Sequence, residues 1–159
     1  MAKYTHGALG WTPIAHADGA AALANNSYQA LRTTTASTIR VNDIFIGGEA
    51  TSSTVNRMAV RRLSTNGATP TNQVPAALNP LSAAAVSQGY AAATTGPTIA
   101  STQHLHNLPF NAFGGVIRWV AAPDEELWAS AGTAPNGELC LDSISGVGLV
   151  STDIKFEEL

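Results

Sequence analysis

The sequence predicts a mainly β chain folded as an antiparallel β-sandwich or jelly-roll, and three observations carry that prediction. Residues 54–63 and 149–159 alternate with a period of two. Residues 38–46 are a run of β-branched and aromatic side chains. Asn66-Gly67 and Asn136-Gly137 are hairpin-turn dipeptides placed between strand-like segments.

Residues 1–26 alternate small side chains with Gly7, Gly10, Pro13 and Gly19 and follow no period, so an extended N-terminal arm is expected, with at most a helical turn at 20–23. From residue 27 to 159 a single sandwich domain is expected. Its first strand, 38–46, ends at Gly47-Gly48, and the next, 54–63, puts Met58 and Val60 on one face and Arg57, Ala59 and Arg61 on the other. The short connection between them predicts an antiparallel pair. Residues 68–97 form an Ala/Pro-rich insertion holding Pro70, Pro75, Pro80 and Pro97. Proline at that density excludes a long helix and a central strand, leaving a long loop with a short helix at 82–88. Strand character returns at Thr98-Ile99 and continues through 113–120, with Val116, Arg118 and Val120 opposite Ile117 and Trp119, then at 126–129 and 138–144. In the last strand Val150, Thr152, Ile154 and Phe156 face one way and Ser151, Asp153, Lys155 and Glu157 the other.

Charge is sparse: 12% of the 159 residues are Asp, Glu, Lys or Arg, about half the share in ordinary soluble domains. Ala, Thr, Ser, Asn and Gly take the vacated positions. A surface of small neutral side chains loses little hydration and little rotamer freedom when covered, which suits extensive contact with other subunits. The charges are also segregated. Residues 1–118 carry seven basic and three acidic side chains (net +4), and residues 119–159 carry one basic and eight acidic (net −7). The two parts can attract each other within one fold or between copies. No basic stripe interleaved with aromatics is present, so nucleic acid is not an expected partner. No apolar run of membrane-spanning length occurs, and the N-terminus lacks the apolar core of an export signal, so no membrane partner is expected.

Chemistry-bearing residues are few. Cys140 is the single cysteine, flanked by Glu138 and Asp142, which suits an inert strand thiol. His104 and His106 are spaced to share a strand face, but no third ligand accompanies them, so no metal is expected. Gly47-Gly48 and Gly114-Gly115 belong to no phosphate-binding pattern and fit turns or bulges. Asp124, Glu125 and Glu126 follow Pro123 in a turn. Trp119 and Trp128 are expected inside the sandwich. No catalytic group and no cofactor site emerges, and the chain is expected not to be an enzyme. Contact with a partner is expected instead from Trp11 and Pro13 in the arm and from Pro75, Leu78, Pro80, Leu81 and Tyr90 in or beside the insertion.

The segments 47–58 (Gly-Gly-Glu-Ala-Thr-Ser-Ser-Thr-Val-Asn-Arg-Met), 111–119 (Asn-Ala-Phe-Gly-Gly-Val-Ile-Arg-Trp) and 136–139 (Asn-Gly-Glu-Leu) resemble small structural proteins of tailed bacteriophages, of the accessory head (decoration or cement) type. The likeness spans roughly residues 38–158. It implies a β-sandwich or jelly-roll on the outer surface of a phage capsid, assembled in the host cytoplasm. There it would bind the major capsid protein and itself, as a homodimer or homotrimer, and join neighbouring capsomers. It brings no catalytic residues. The alternative is a carbohydrate- or receptor-binding sandwich of a phage tail, which would need an exposed aromatic platform or a carboxylate cluster.

Overall fold

The computed structural model describes residues 1–23, 28–34, 36–65, 71–91, 96–101, 104–131, 137–145 and 148–159. These residues contain twelve strands and no helix. The strands are β1 (Ala2–Trp11), β2 (Tyr28–Arg32), β3 (Ile39–Glu49), β4 (Val55–Arg62), β5 (Thr71–Gln73), β6 (Ala76–Ala77), β7 (Gln88–Ala91), β8 (His106–Asn111), β9 (Phe113–Val120), β10 (Leu127–Ala129), β11 (Glu138–Ser145) and β12 (Val150–Glu158). They form two antiparallel sheets. The first runs β10-β3-β12-β1-β6, with β9 also on β3, and the second runs β5-β7-β2-β11-β4-β8.

Number the eight principal strands β1, β2, β3, β4, β8, β9, β11 and β12 from one to eight. The first sheet then reads 1-8-3-6 and the second 2-7-4-5, two interlocked Greek keys in jelly-roll order. The period-two alternation decides which side chains meet between the sheets. Tyr4, Ile39, Val41, Ile44, Ile46, Val150, Ile154 and Phe156 of the first face Leu31, Met58, Val60, Leu108, Phe110, Leu139 and Leu141 of the second, all buried. Each large apolar side chain removed from water contributes about 1.5–3 kcal/mol. The Tyr4 and Phe156 rings stack at 5.7 Å.

Two of the crossings between the sheets share one corner. After β3 the chain crosses to β4, and after β8 it crosses back to β9, the two crossings side by side. The Ala112 N–H donates to Thr54 O (2.8 Å) and the Ala50 N–H to Ala112 O (2.9 Å). A Cβ on Gly48 would stand 2.3 Å from Ala112 O, and one on Gly115 would stand 2.1 Å from Asn111 O. Gly114 has φ +66°. The two glycine pairs are therefore what lets the strands change sheet.

Several expectations are corrected here. β3 and β4 are not a hairpin: they lie in different sheets, because the Gly48 corner turns the chain out of the first sheet. Residues 1–26 are not a free arm. Residues 2–11 are a strand hydrogen-bonded to β12 from Ala2↔Glu158 to Trp11↔Val150, and residues 12–23 lie across the second sheet. The insertion is not a free loop, since β5, β6 and β7 belong to both sheets. No helix forms at 82–88 or 20–23. The Glu158 carboxylate instead accepts from the backbone N–H of Val86 (3.2 Å) and Ser87 (2.6 Å), and the Tyr4 hydroxyl donates to Ala83 O (3.1 Å). The Asn66-Gly67 turn and Asn136 lie outside the described residues.

Candidate interaction surfaces

The outer face of the second sheet carries Arg61, Cys140, Asp142, Ala30 and Tyr90, aligned by the registers Cys140↔Arg61, Cys140↔Ala30 and Ala30↔Tyr90. Residues 12–23 strap it. The His16 backbone N–H donates to Ser143 O (3.1 Å), and His16 Nε2 meets the buried Asp142 carboxylate. Arg61, with 0% exposure, donates from Nη1 to Asp18 O (3.1 Å), meets the Asp18 carboxylate through Nη2, and places Nε 3.4 Å from Asp142 Oδ2. His104 Nε2 reaches the same Asp18 carboxylate at 2.7 Å. That bond and the Arg61 guanidinium hold the Asp18 carboxyl below its ordinary value. Beyond the ion pairs, Leu23, Ala30, Leu63, Tyr90, Ile99 and Cys140 make a second small apolar cluster. It is closed by Leu23 N–H to Pro97 O and Ile99 N–H to Ala21 O, both 2.8 Å. Burial, reinforced by Asp142 and Glu138, pushes the Cys140 thiol well up, so the thiol is inert.

The outer face of the first sheet has no such cover among the described residues. Its charges are neutralised within the chain. Asp43 accepts from Arg118 Nε (3.0 Å) and Nη2 (2.7 Å) and lies 3.4 Å from Lys155 Nζ, and the Arg118 bonds hold its carboxyl below the ordinary range. Glu157 pairs with Arg40 and lies 3.4 Å from Lys3 Nζ, and the Arg40 bond depresses it likewise. Arg40 also sits 5.5 Å above the Trp128 ring. Between these pairs Val116, Val120, Phe113 and Trp128 are exposed. A cleft of about 470 Å³ is lined by Lys3, Arg118 and Lys155 together with Leu78, Val120 and Phe156. The charge segregation is thus resolved within one chain in the pairs Lys3–Glu157, Arg32–Glu138, Arg40–Glu157, Arg40–Glu126 and Arg61–Asp142.

Of the residues expected to meet a partner, Leu78, Pro80 and Leu81 lie exposed on one turn, Leu81 at 92%. Pro13, Pro75 and Tyr90 are buried. Trp11 packs against the chain's own core and donates from Nε1 to Thr152 Oγ1 (3.3 Å), because the strand that carries it is part of the sheet. Trp128 is 39% exposed rather than interior, while Trp119 does pack on the core. His104 and His106 do not converge: His104 meets Asp18, and the His106 ring lies 5.1 Å from that of Trp119 at the opening between the sheets. Among the described residues no group of three His, Cys, Asp or Glu side chains is placed to hold a metal. The sequence reading missed the His16–Asp142–Arg61–Asp18–His104 cluster, whose hydrogen-bonded members stand 43 to 126 positions apart in the chain. Among the described residues no helix is long and apolar enough to cross a membrane.

No protein-family model, curated protein or solved structure matches the chain.

Proposed function

We propose that the chain is a virion structural protein, a capsid decoration or cement protein of a tailed phage that binds the outside of the head and stabilises contacts between capsomers. One observation carries the reading: the two sheets are finished differently. The second is strapped by its own chain, whereas the first presents exposed Val116, Val120, Phe113 and Trp128 among ion pairs already neutralised. Covering such a face removes apolar area from water without stranding the charges of Asp43 and Glu157, which keep their cations. The jelly-roll order and the resemblance of segments 47–58, 111–119 and 136–139 to accessory head proteins support the same reading, the fold by analogy only.

In this reading the major capsid protein lies under the first sheet, and Leu78 and Leu81 extend the contact. The role requires no cofactor, no catalytic group, no nucleic acid and no membrane. The test is the location and copy number of the chain in purified phage particles, by cryo-electron microscopy. Hundreds of ordered copies on the head with the first sheet against the shell are the expected result. A few copies at the tail would overturn it in favour of a glycan- or receptor-binding module, for which Trp128 would be the aromatic candidate. Absence from the particle would overturn both.

A further inference from the structure

Sheet edges are open templates for pairing, and folded proteins usually blunt them. Here most edges are blunted. β5 is three residues long and β6 two. β8 carries Pro109, which has no N–H to offer. β1 is open beyond Thr5, but Gln29 Nε2 caps His6 O (2.9 Å) and the register shifts between Ala8 and Trp11. β9 is the exception. Past the register shift at its Phe113 end it runs from Val116 to Val120 without proline or lysine, and among the described residues no strand pairs with its far side.

The direction of its backbone groups follows from one bond. Val120 lies opposite Asp43, and the Ala121 N–H donates to Asn42 O (3.0 Å). That makes Asp43 and Val120 a non-hydrogen-bonded pair, so the N–H and C=O of Val116, Arg118 and Val120 point away from β3. The same edge exposes Val116 at 64% and Val120 at 59%. It also leaves Ile117 and Trp119, which face the core, only partly buried.

We propose that β9 pairs antiparallel with β9 of a second copy about a two-fold axis, joining the two first sheets into one continuous sheet. A second copy fits because an antiparallel strand is complementary to itself across a two-fold. Charge selects the register. Centring the axis on Arg118 sets two guanidinium groups opposite each other, whereas centring it on Ile117 sets Arg118 opposite Val116 of the copy and keeps outer-face residues together. A single eight-residue strand edge covers less than the ~800 Å² per partner of a standard interface. The dimer is therefore expected to be weak and to form only at high protein concentration. This pairing does not depend on what particle the chain belongs to.

Sedimentation of the full chain from about 10 µM to about 1 mM tests it, together with hydrogen exchange at both ends of that range. The mass should rise from 16.4 kDa towards twice that value, with the amides of Val116, Arg118 and Val120 gaining protection at high concentration. Val116→Pro removes an outward N–H without touching the ladder to β3, and Val120→Lys places a charge on the edge. Each should weaken the dimer at least tenfold, while Leu81→Lys leaves it unchanged. A wild-type chain that stays monomeric throughout, a dimer equally strong in both edge variants, or a dimer without concentration-dependent protection of those three amides would overturn the proposal.

Discussion

Arg61 shares its charge with no water: it is 0% exposed and faces Asp142, itself fully buried, at 3.4 Å. A guanidinium in that position is stable only because the Asp142 and Asp18 carboxylates and the Asp18 carbonyl face it, and the Asp142 carboxylate only because Arg61 and His16 face it. Removing either partner leaves an uncompensated buried charge. Arg61→Ala is therefore expected to lower the unfolding free energy by roughly 3–5 kcal/mol, read as a shift in the urea midpoint. Asp18→Ala should cost far less, since the Asp18 side chain is 56% exposed and water can replace it. A larger loss for Asp18→Ala than for Arg61→Ala would contradict this account. Position alone could assign Arg61 to the face opposite Met58 and Val60. That this face is dry could not be foreseen, because the strap that dries it has no apolar period and holds on through His16 and Asp18.

At the scale of elements, the strands themselves were the legible part. Alternation and turn dipeptides located β4, β9, β11 and β12 to within a residue or two of their ends, and the faces of β9 and β12 came out as the pattern indicates. Partnership was not legible. β3 and β4 follow each other closely enough for a hairpin, and nothing in their own residues says that they enter different sheets. The decisive contact is non-local: Gly48 against Ala112, sixty-odd positions on. Gly48→Ala tests that corner. The new methyl would meet the Ala112 carbonyl oxygen at 2.3 Å, and a backbone neighbour cannot swing aside as a side chain can. A loss of about 1–3 kcal/mol is expected, measured by thermal unfolding. Gly19→Ala, where nothing lies within 4 Å, is the control and should be near neutral. The partner-facing residues divided for a similar reason. Leu78, Pro80 and Leu81 are exposed, but Trp11, Pro13, Pro75 and Tyr90 sit in segments that return to their own sheets.

For the whole molecule, the buried and paired titratable groups set how stability follows pH. Burial lowers His6 below 6.5, so the unfolded chain takes up that proton first, and stability drains as pH falls from about 6.5 through the folded value. Asp43 and Glu157, lowered below 3.8 and 4.5 by Arg118 and Arg40, hold their contribution above those values and lose it as pH falls below them. Glu138, raised by burial against the pull of Arg32, acts in the opposite sense and offsets part of the loss as it protonates. Urea midpoints taken from about pH 8 to about pH 3 should therefore fall in two stages, and His6→Asn should remove the upper one. A single stage below about pH 4 in the wild type would rule out the His6 contribution. The pairing of Ala2 with Glu158 has a practical side as well. Both ends of the chain leave the sheet beside Ile39, at the opposite end of β3 from the Gly48 corner, roughly 30 Å away at about 3.3 Å per residue. A peptide genetically fused to either end would be displayed at that one pole, and a ligation of the two ends would yield a circular backbone with little added span.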